Sequence, residues 1–453
     1  MSLTKDQESR AHIALNRFGL GAKPGSIERI GKNPKAALER ELNTPDIALI
    51  NRPNLPTYNE ACQAIHTDFD KENGFKEREL AARLSKHLKP HIGFVERLVL
   101  FFSNHFSMSI HKDGAVRATI GQLERDVIRK YVLGSFRSML VGVMKHPAMI
   151  RYLDNDDSIG PASPAGKNWG AGLNQNLARE ILELHTMGVG GGYTEADIDA
   201  LSRVISGWSF VRGWEADGPY NGGNKNNRGR FIFRKDWHEP GAQKILGKRY
   251  GAPGLGQGED VLADLARHPS TAQYIAFKLV RHFITDDPTP EMVKPLALAF
   301  RKSNGNLKTV AQALIDLPEA WSLPLTKLRR PYELQVAQMR ALERVYSPEQ
   351  LWPFNSTLSA LRNTPWEYGT PDGFPDESPY WMGPDAMRIR LETAQMCAST
   401  LMQVAPVRRA PTYIADQIFG STLSQKSRGA IAKAVDKRHG LATLFMIPEF
   451  QRR

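Results

Sequence analysis

Apolar residues recur at three- and four-residue spacing along most of this chain, and only two stretches interrupt that rhythm. Such spacing puts one apolar stripe on a helix and leaves the other face polar, so many helices must bury their stripes against one another. Helical segments are expected at 4–18, 34–43, 59–87, 91–106, 114–132, 135–145, 147–153, 174–186 and 194–206. They resume at 257–267, 270–284, 290–303, 306–316 and 331–346, then at 384–403, 411–418, 424–436 and 439–446. The segment "HIGFVERLVLFFSNHF" (91–106) is apolar enough to be central to the core. Prolines such as Pro34 mark first helical turns, where the missing N–H costs nothing. Two segments share a His-Pro before a helix and a tyrosine six residues after the histidine, "MKHPAMIRY" (144–152) and "ARHPSTAQY" (266–274). This echo reads as punctuation between helices, because no fixed period links it to others.

The first interruption is 207–241. It holds two short aromatic and β-branched runs, Trp208–Val211 and Arg230–Phe233, around a Gly/Asn-rich tip, which predicts a β-hairpin with a long loop. The second, 347–384, is rich in Pro, Trp and Gly and reads as irregular chain ordered by its aromatics. The expected fold is therefore mainly α, a multi-helix globular protein with one β-hairpin insertion. The expected organisation is an N-terminal helical domain (1–206), the hairpin insertion (207–241), a central helical region (242–346) and an irregular aromatic segment with C-terminal helices (347–453). A length of 453 residues accommodates one large domain or two to three modest ones.

Composition removes several function classes. Hydrophobic residues at 41% and charged residues at 24% are those of a soluble globular protein, and no run of about 18 apolar residues predicts a membrane span. The start, "MSLTKDQESRAHIALNRFG", reads as an amphipathic helix rather than an export signal, so the expectation is cytoplasmic, with the periplasm left open. Cys62 and Cys397 are far apart and suit small core residues in a reducing compartment; no Cys-type zinc site is expected. The net charge of +12 is spread thinly. "LRRP" (328–331) and "VRRA" (407–410) are too short for a nucleic-acid stripe, so no nucleic-acid partner is expected. There is no Gly-x-Ser-x-Gly, no dinucleotide fingerprint after a strand, and no Gly-Lys-Ser/Thr closing the glycine run.

Chemistry is best sought in "NLAREILELHTMGVGGGYTEADI" (176–198). At about 100° per residue from Asn176, Glu180 lies near 40°, Glu183 near −20°, Arg179 near −60° and His185 near 180°. Asn176, Arg179, Glu180 and Glu183 thus share a polar ridge, and His185 falls on the apolar face. One carboxylate of such a pair can stay protonated under its neighbour's charge and act as acid while the other acts as base. The bland alternative is a solvated helix face. Gly188 and Gly190–Gly192 stop the helix, and Thr194 with Asp197 starts the next as a capping box. The candidate catalytic residues are Glu180, Glu183, Arg179, His105 and His185, with Asn174, Asn176, Trp208, His238 and Arg117 as substrate-binding candidates. A divalent metal is the open cofactor question, with His238 and Glu239 of "WHEPG" swung over the ridge by the hairpin. Asp154, Asp156 and Asp157 suit either Ca²⁺ or Asx turns. Tryptophans 208, 214, 237, 352, 366 and 381 suit either sugar stacking or core anchoring. Lys225, Arg228 and Arg230 at the hairpin tip would suit an acidic partner.

Several blocks in order, "ALNRFGLGAKPG" (14–25), "ERLVLFFSNHFSMS" (96–109), "HPAMIRYLDNDDSIG" (146–160), "NQNLAREILELHTMGVGGGYTEADIDALSRVISGWSF" (174–210) and "HEPGAQKILGKRY" (238–250), resemble the bacterial family called domain of unknown function 1800. The resemblance implies a mainly helical protein and carries no agreed catalytic residues. It also implies a partner, since many members sit beside a gene for an exported protein resembling the alkaline-phosphatase and sulfatase superfamily. Two functional readings stand. One is a glycoside or phosphoester hydrolase using the 174–197 cluster; the other is a non-catalytic scaffold or chaperone-like partner of that exported protein.

Overall fold

Helix after helix begins where a short polar side chain can occupy its first free amides. Thr4, Asn33, Asp113, Ser135, Thr194, Asn306, Ser424 and Asp436 each accept a hydrogen bond from a backbone N–H of the first turn. His146 and His268 do the same through Nδ1, each followed by proline at the first position. These caps set the segmentation that the periodicity predicts. The computed structural model describes residues 3–52, 54–67, 71–212, 215, 227–343, 352–404 and 409–453; Trp214, Lys225 and the 347–351 part of the aromatic segment lie outside them. Among the described residues no helix is long and apolar enough to cross a membrane.

The protein is mainly α. Among the described residues most of the apolar stripes meet in a main core that runs from Ala11 to Phe450 and includes Phe94, Leu98, Val99 and Phe101 of the helix Phe94–His105, with two small satellite clusters beside it. Three helices among the described residues widen into π-turns, at Ala14–Phe18, Glu124–Ile128 and Ile181–Thr186. The predicted hairpin is present: β1 (Trp208–Phe210) pairs antiparallel with β2 (Phe231–Phe233), Trp208 opposite Phe233. A second hairpin was not expected. It joins β3 (Gln243–Ile245) to β4 (Lys248–Tyr250) through Leu246 and Gly247, both at positive φ (47° and 79°), as a two-residue type I′ turn requires. The strain at Leu246 is held by its amide, which donates to Asp197 Oδ1 at 2.7 Å.

Beneath the apolar surface of this core lies a buried ionic network. Glu333, 1% exposed, receives Arg453 Nε at 2.7 Å, with Arg330 at 3.4 Å and Arg97 at 3.6 Å. Arg330 continues to Asp376 at 3.5 Å, and Asp376 accepts from His282 Nδ1 at 2.8 Å. Arg97 in turn donates to His282 Nε2 at 3.2 Å, so the imidazole is neutral with its proton on Nδ1. A second knot joins Arg129 to Glu96 (2.9 Å) and Glu124 (3.0 Å), with Arg83 on Glu124 and His87 on Glu96. Other buried arginines stitch loops through carbonyls: Arg340 donates to those of Gly21, His87, Pro90, His91 and Ile92.

Burial alone would push the carboxyls of Glu333 and Asp376 upward. For Glu333 the facing Arg453, Arg97 and Arg330 cations, and for Asp376 the Nδ1–H of the neutral His282 together with the Arg330 and Lys327 cations, outweigh it and hold both well below the usual range. Their stabilisation is therefore complete above the ordinary carboxylate range and is lost as pH falls through the depressed values. Glu333→Gln leaves three arginines facing a neutral group. It is expected to cost about 3–5 kcal/mol in unfolding free energy by chemical denaturation near neutral pH. The deficit should shrink in strong acid, and a neutral-pH loss under about 1 kcal/mol would mean that water, not Glu333, balances those cations.

Candidate active site

The 176–198 strip folds as a short helix, Asn176–Glu180, that continues directly into the π-turn Ile181–Thr186. Leu177, Ala178, Ile181, Leu182 and His185 are buried, Arg179, Glu180 and Glu183 are half-buried, and Asn176 is exposed. The helix does not end before His185, so that ring stays on the inner face, opposite the ridge. Gly188 (φ 82°) stops it, and Thr194 with Asp197 forms the capping box of Glu195–Val204.

On the ridge, Arg179 is fully engaged. It donates to Glu183 at 3.2 Å and in two-pronged fashion to Glu195 at 2.9 and 2.8 Å. Tyr193 also hydrogen-bonds Glu183. Glu183 is thus oriented from two sides. Glu180 is treated differently. Burial, then the charges of Glu183 and Asp372, push its carboxyl up to about 7 against the opposing pull of Arg179, and no hydrogen bond contributes. A carboxylic acid that keeps its proton to neutrality is an acid available at working pH.

Asp372, exposed in the irregular aromatic segment, stands two residues before a two-point clamp on Phe374. Asn104, near the end of Phe94–His105, donates to the Phe374 carbonyl and accepts from the Phe374 amide, both at 2.9 Å. Gly373 (φ 79°) passes so close that a Cβ there would collide with the Asn104 carbonyl. Two tyrosines feel the same aspartate: burial, with Glu180 and Asp372, pushes Tyr152 up to about 12, and burial with Asp372 does the same to Tyr274. These are the two tyrosines of the His-Pro echo. Tyr152 ends the helix Pro147–Tyr152 and Tyr274 lies in the second turn of Pro269–Phe283, so the repeat that reads as punctuation also puts two phenols within the field of Asp372.

Behind them stands a cation. Burial brings Lys278 down to about 8, with Asp376 and Asp372 opposing. Its ammonium lies 3.2 Å from His105 Nδ1, and His105 Nε2 lies 3.2 Å from the His185 carbonyl. An ammonium can only donate and a carbonyl can only accept, so His105 is neutral with its proton on Nε2. Burial first, then Lys278, lowers both His105 and His185, the latter to about 3. The two rings are 6.1 Å apart, and neither ring nitrogen of His185 has a partner among the described residues.

The remaining expected residues are placed elsewhere. Trp208 has no exposed surface; its ring packs on Gly258 and under Lys145, so it belongs to the core and offers nothing to a ligand. Trp237, Trp366 and Trp381 are likewise buried. Arg117 is ion-paired with Glu72. Asn174 shapes the entry to the strip, accepting from the Asn176 amide at 2.8 Å and donating to the Asp154 carbonyl at 3.3 Å. His238 Nδ1 pairs with the Ser206 carbonyl at 3.1 Å, and Glu239 with Arg203 at 2.9 Å, so neither swings over the ridge. Asp154, Asp156 and Asp157 pair with Lys112, Arg151 and Arg212 rather than converging on one point. Among the described residues no three His, Cys, Asp or Glu side chains group as a metal would need.

The sign of the Glu180 shift makes a measurable difference to stability. The folded carboxyl holds its proton to about 7, whereas an unfolded one loses it near 4.5, so the contribution to folding present below 4.5 is lost as pH rises through 7. Glu180→Gln cannot ionise. Its melting temperature minus that of the wild type is expected to increase between about pH 4.5 and about pH 8, and a difference independent of pH would place Glu180 in open water.

The model of a family described as a protein of unknown function, DUF1800, matches residues 13–452. No curated protein and no solved structure is similar enough to match. With nearly the whole chain covered, the protein belongs to the DUF1800 family.

Proposed function

We propose that this protein is a hydrolase working by proton transfer between carboxyl groups, on a glycosidic or phosphoester bond. Glu180 is the general acid that protonates the leaving oxygen. Glu183, oriented by Arg179 and Tyr193, is the partner carboxylate that takes a proton from the attacking water. Tyr152, which feels Glu180, supplies a phenol donor beside the acid, and Tyr274 and Lys278, lowered to about 8, share the field of Asp372 with it. What carries this reading is the half-buried Glu180 sharing one ridge with Glu183, its carboxyl pushed up to about 7 by burial first and then by Glu183 and Asp372. Asp372 acts on it from a segment far away in the chain, which a solvated helix face does not require.

Hydrolysis of nitrophenyl glycosides and nitrophenyl phosphate mono- and diesters between about pH 5 and about pH 9 tests it. Wild-type turnover is expected to fall as pH rises through 7, where the acid loses its proton. Glu180→Gln should lower turnover by about 100-fold or more and flatten that limb. Wild-type rates in a folded Glu180→Gln variant would contradict the proposal, and a folded wild type inert across the panel would favour the scaffold reading.

A further inference from the structure

Next to the acid cluster runs a groove of about 880 Å³, large enough for a small organic ligand. Its walls are two helices, Pro269–Phe283 and Pro290–Lys302, and the glycine turn 188–191 borders it. Gln273, Tyr274 and Phe277 line it from the first helix. Lys294, Leu298 and Arg301, one helical stripe, line it from the second. Not one of the lining residues is acidic.

We propose that this groove holds the part of the substrate that carries a negative charge on a flat apolar body, such as an aryl phosphate, sulfate or carboxylate. Three features of the groove argue for that chemistry. First, Lys294 and Arg301 are exposed, and among the described residues neither makes an ion pair; Glu291, one turn before Lys294 on the same helix, lies in the field of Lys294. Arg281, which lies 4.5 Å over Phe277, is by contrast paired with Glu377, so the uncommitted charge at the groove is that of Lys294 and Arg301. Second, half-buried Tyr274 and Phe277 give an aromatic surface, and Leu298 and Val189 leave apolar surface at 41% and 80% exposure. Third, the turn approaches closely because it lacks side chains: a Cβ at Gly188 would stand 2.8 Å from the Tyr274 ring.

The groove is also wired to the acid pair. Tyr274 lines it and lies in the field of Asp372, and the Gly190 backbone bonds Tyr193, which in turn bonds Glu183. A ligand seated against the turn therefore touches the structure that orients Glu183. The assignment rests on the hydrolase reading only in calling the ligand a substrate; anion binding stands without it.

The test is binding of 1-naphthyl phosphate by calorimetry, with uncharged 1-naphthol and inorganic phosphate as controls. The aryl phosphate is expected to bind at least about tenfold more tightly than either control. The double variant Lys294→Glu/Arg301→Glu changes two exposed side chains, so its fold should persist by circular dichroism, and it should bind at least about tenfold more weakly. Equal affinity for the ester and 1-naphthol, binding untouched by the charge reversal, or no binding of the ester overturns the assignment. Glu180→Gln should bind the ester like wild type. If that variant keeps full turnover while the charge reversal abolishes binding, the acid–base reading fails and the groove stands. If it loses turnover while the charge reversal changes nothing, the groove alone fails.

Discussion

A carboxylate with almost no water around it must be answered by cations, and Glu333 is answered by three. That requirement ties together parts of the chain far apart in sequence: Arg97 on the central helix, Arg330 just before the Glu333 helix, and Arg453. Through Arg330 the same network reaches Asp376, which is also bonded by His282. Lys327 adds a bond to the Asp376 carbonyl at 3.0 Å and pairs with Asp286, which accepts from the Ser378 amide at 3.2 Å. An irregular, proline-rich stretch has little regular backbone bonding of its own. Here it is fixed from outside, by ions.

The candidate site inherits its geometry from that anchoring. Residues 374–378 are pinned between Asn104 and the network, and the charge of the exposed Asp372 just before them acts on Glu180, Lys278, Tyr152 and Tyr274 together. Every one of those groups is displaced toward its neutral form mainly by burial, and Asp372 modulates each in the sense its sign dictates. Glu180 and Lys278 are displaced toward their neutral forms from opposite ends of the titration scale, to about 7 and about 8. A surface patch does not do this, because water would return both to their ordinary values.

Much of this was legible in the sequence, for identifiable reasons. Helix starts were readable because caps are local: Thr194 and Asp197, or His268 and Pro269, are neighbours in the chain. The two faces of the 176–186 strip were readable from periodicity, including His185 on the inner side. What escaped was set by contacts at long range. Asp372 lies more than 180 residues from Glu180, in a stretch whose lack of periodicity says nothing about where it docks. Lys278 looks like any lysine on an amphipathic helix until His105 is beside it. Trp208 carried an aromatic signal that fits a cleft and a core equally, and the zero exposure beside Gly258 resolves it as core. The second hairpin is hidden in the sequence because its turn uses Leu246 at positive φ, a choice that the bond from its amide to Asp197 makes tolerable and that no turn preference would suggest.

The central claim is that the Glu180 carboxyl keeps its proton in the folded protein up to neutral pH. The most direct measurement is a pH titration of the protonated-carboxyl stretch by difference infrared spectroscopy, wild type against Glu180→Gln. The account predicts a single carboxyl band in the difference, lost with a midpoint near 7. A band lost near 4.5, the value of a carboxyl in water, would contradict it.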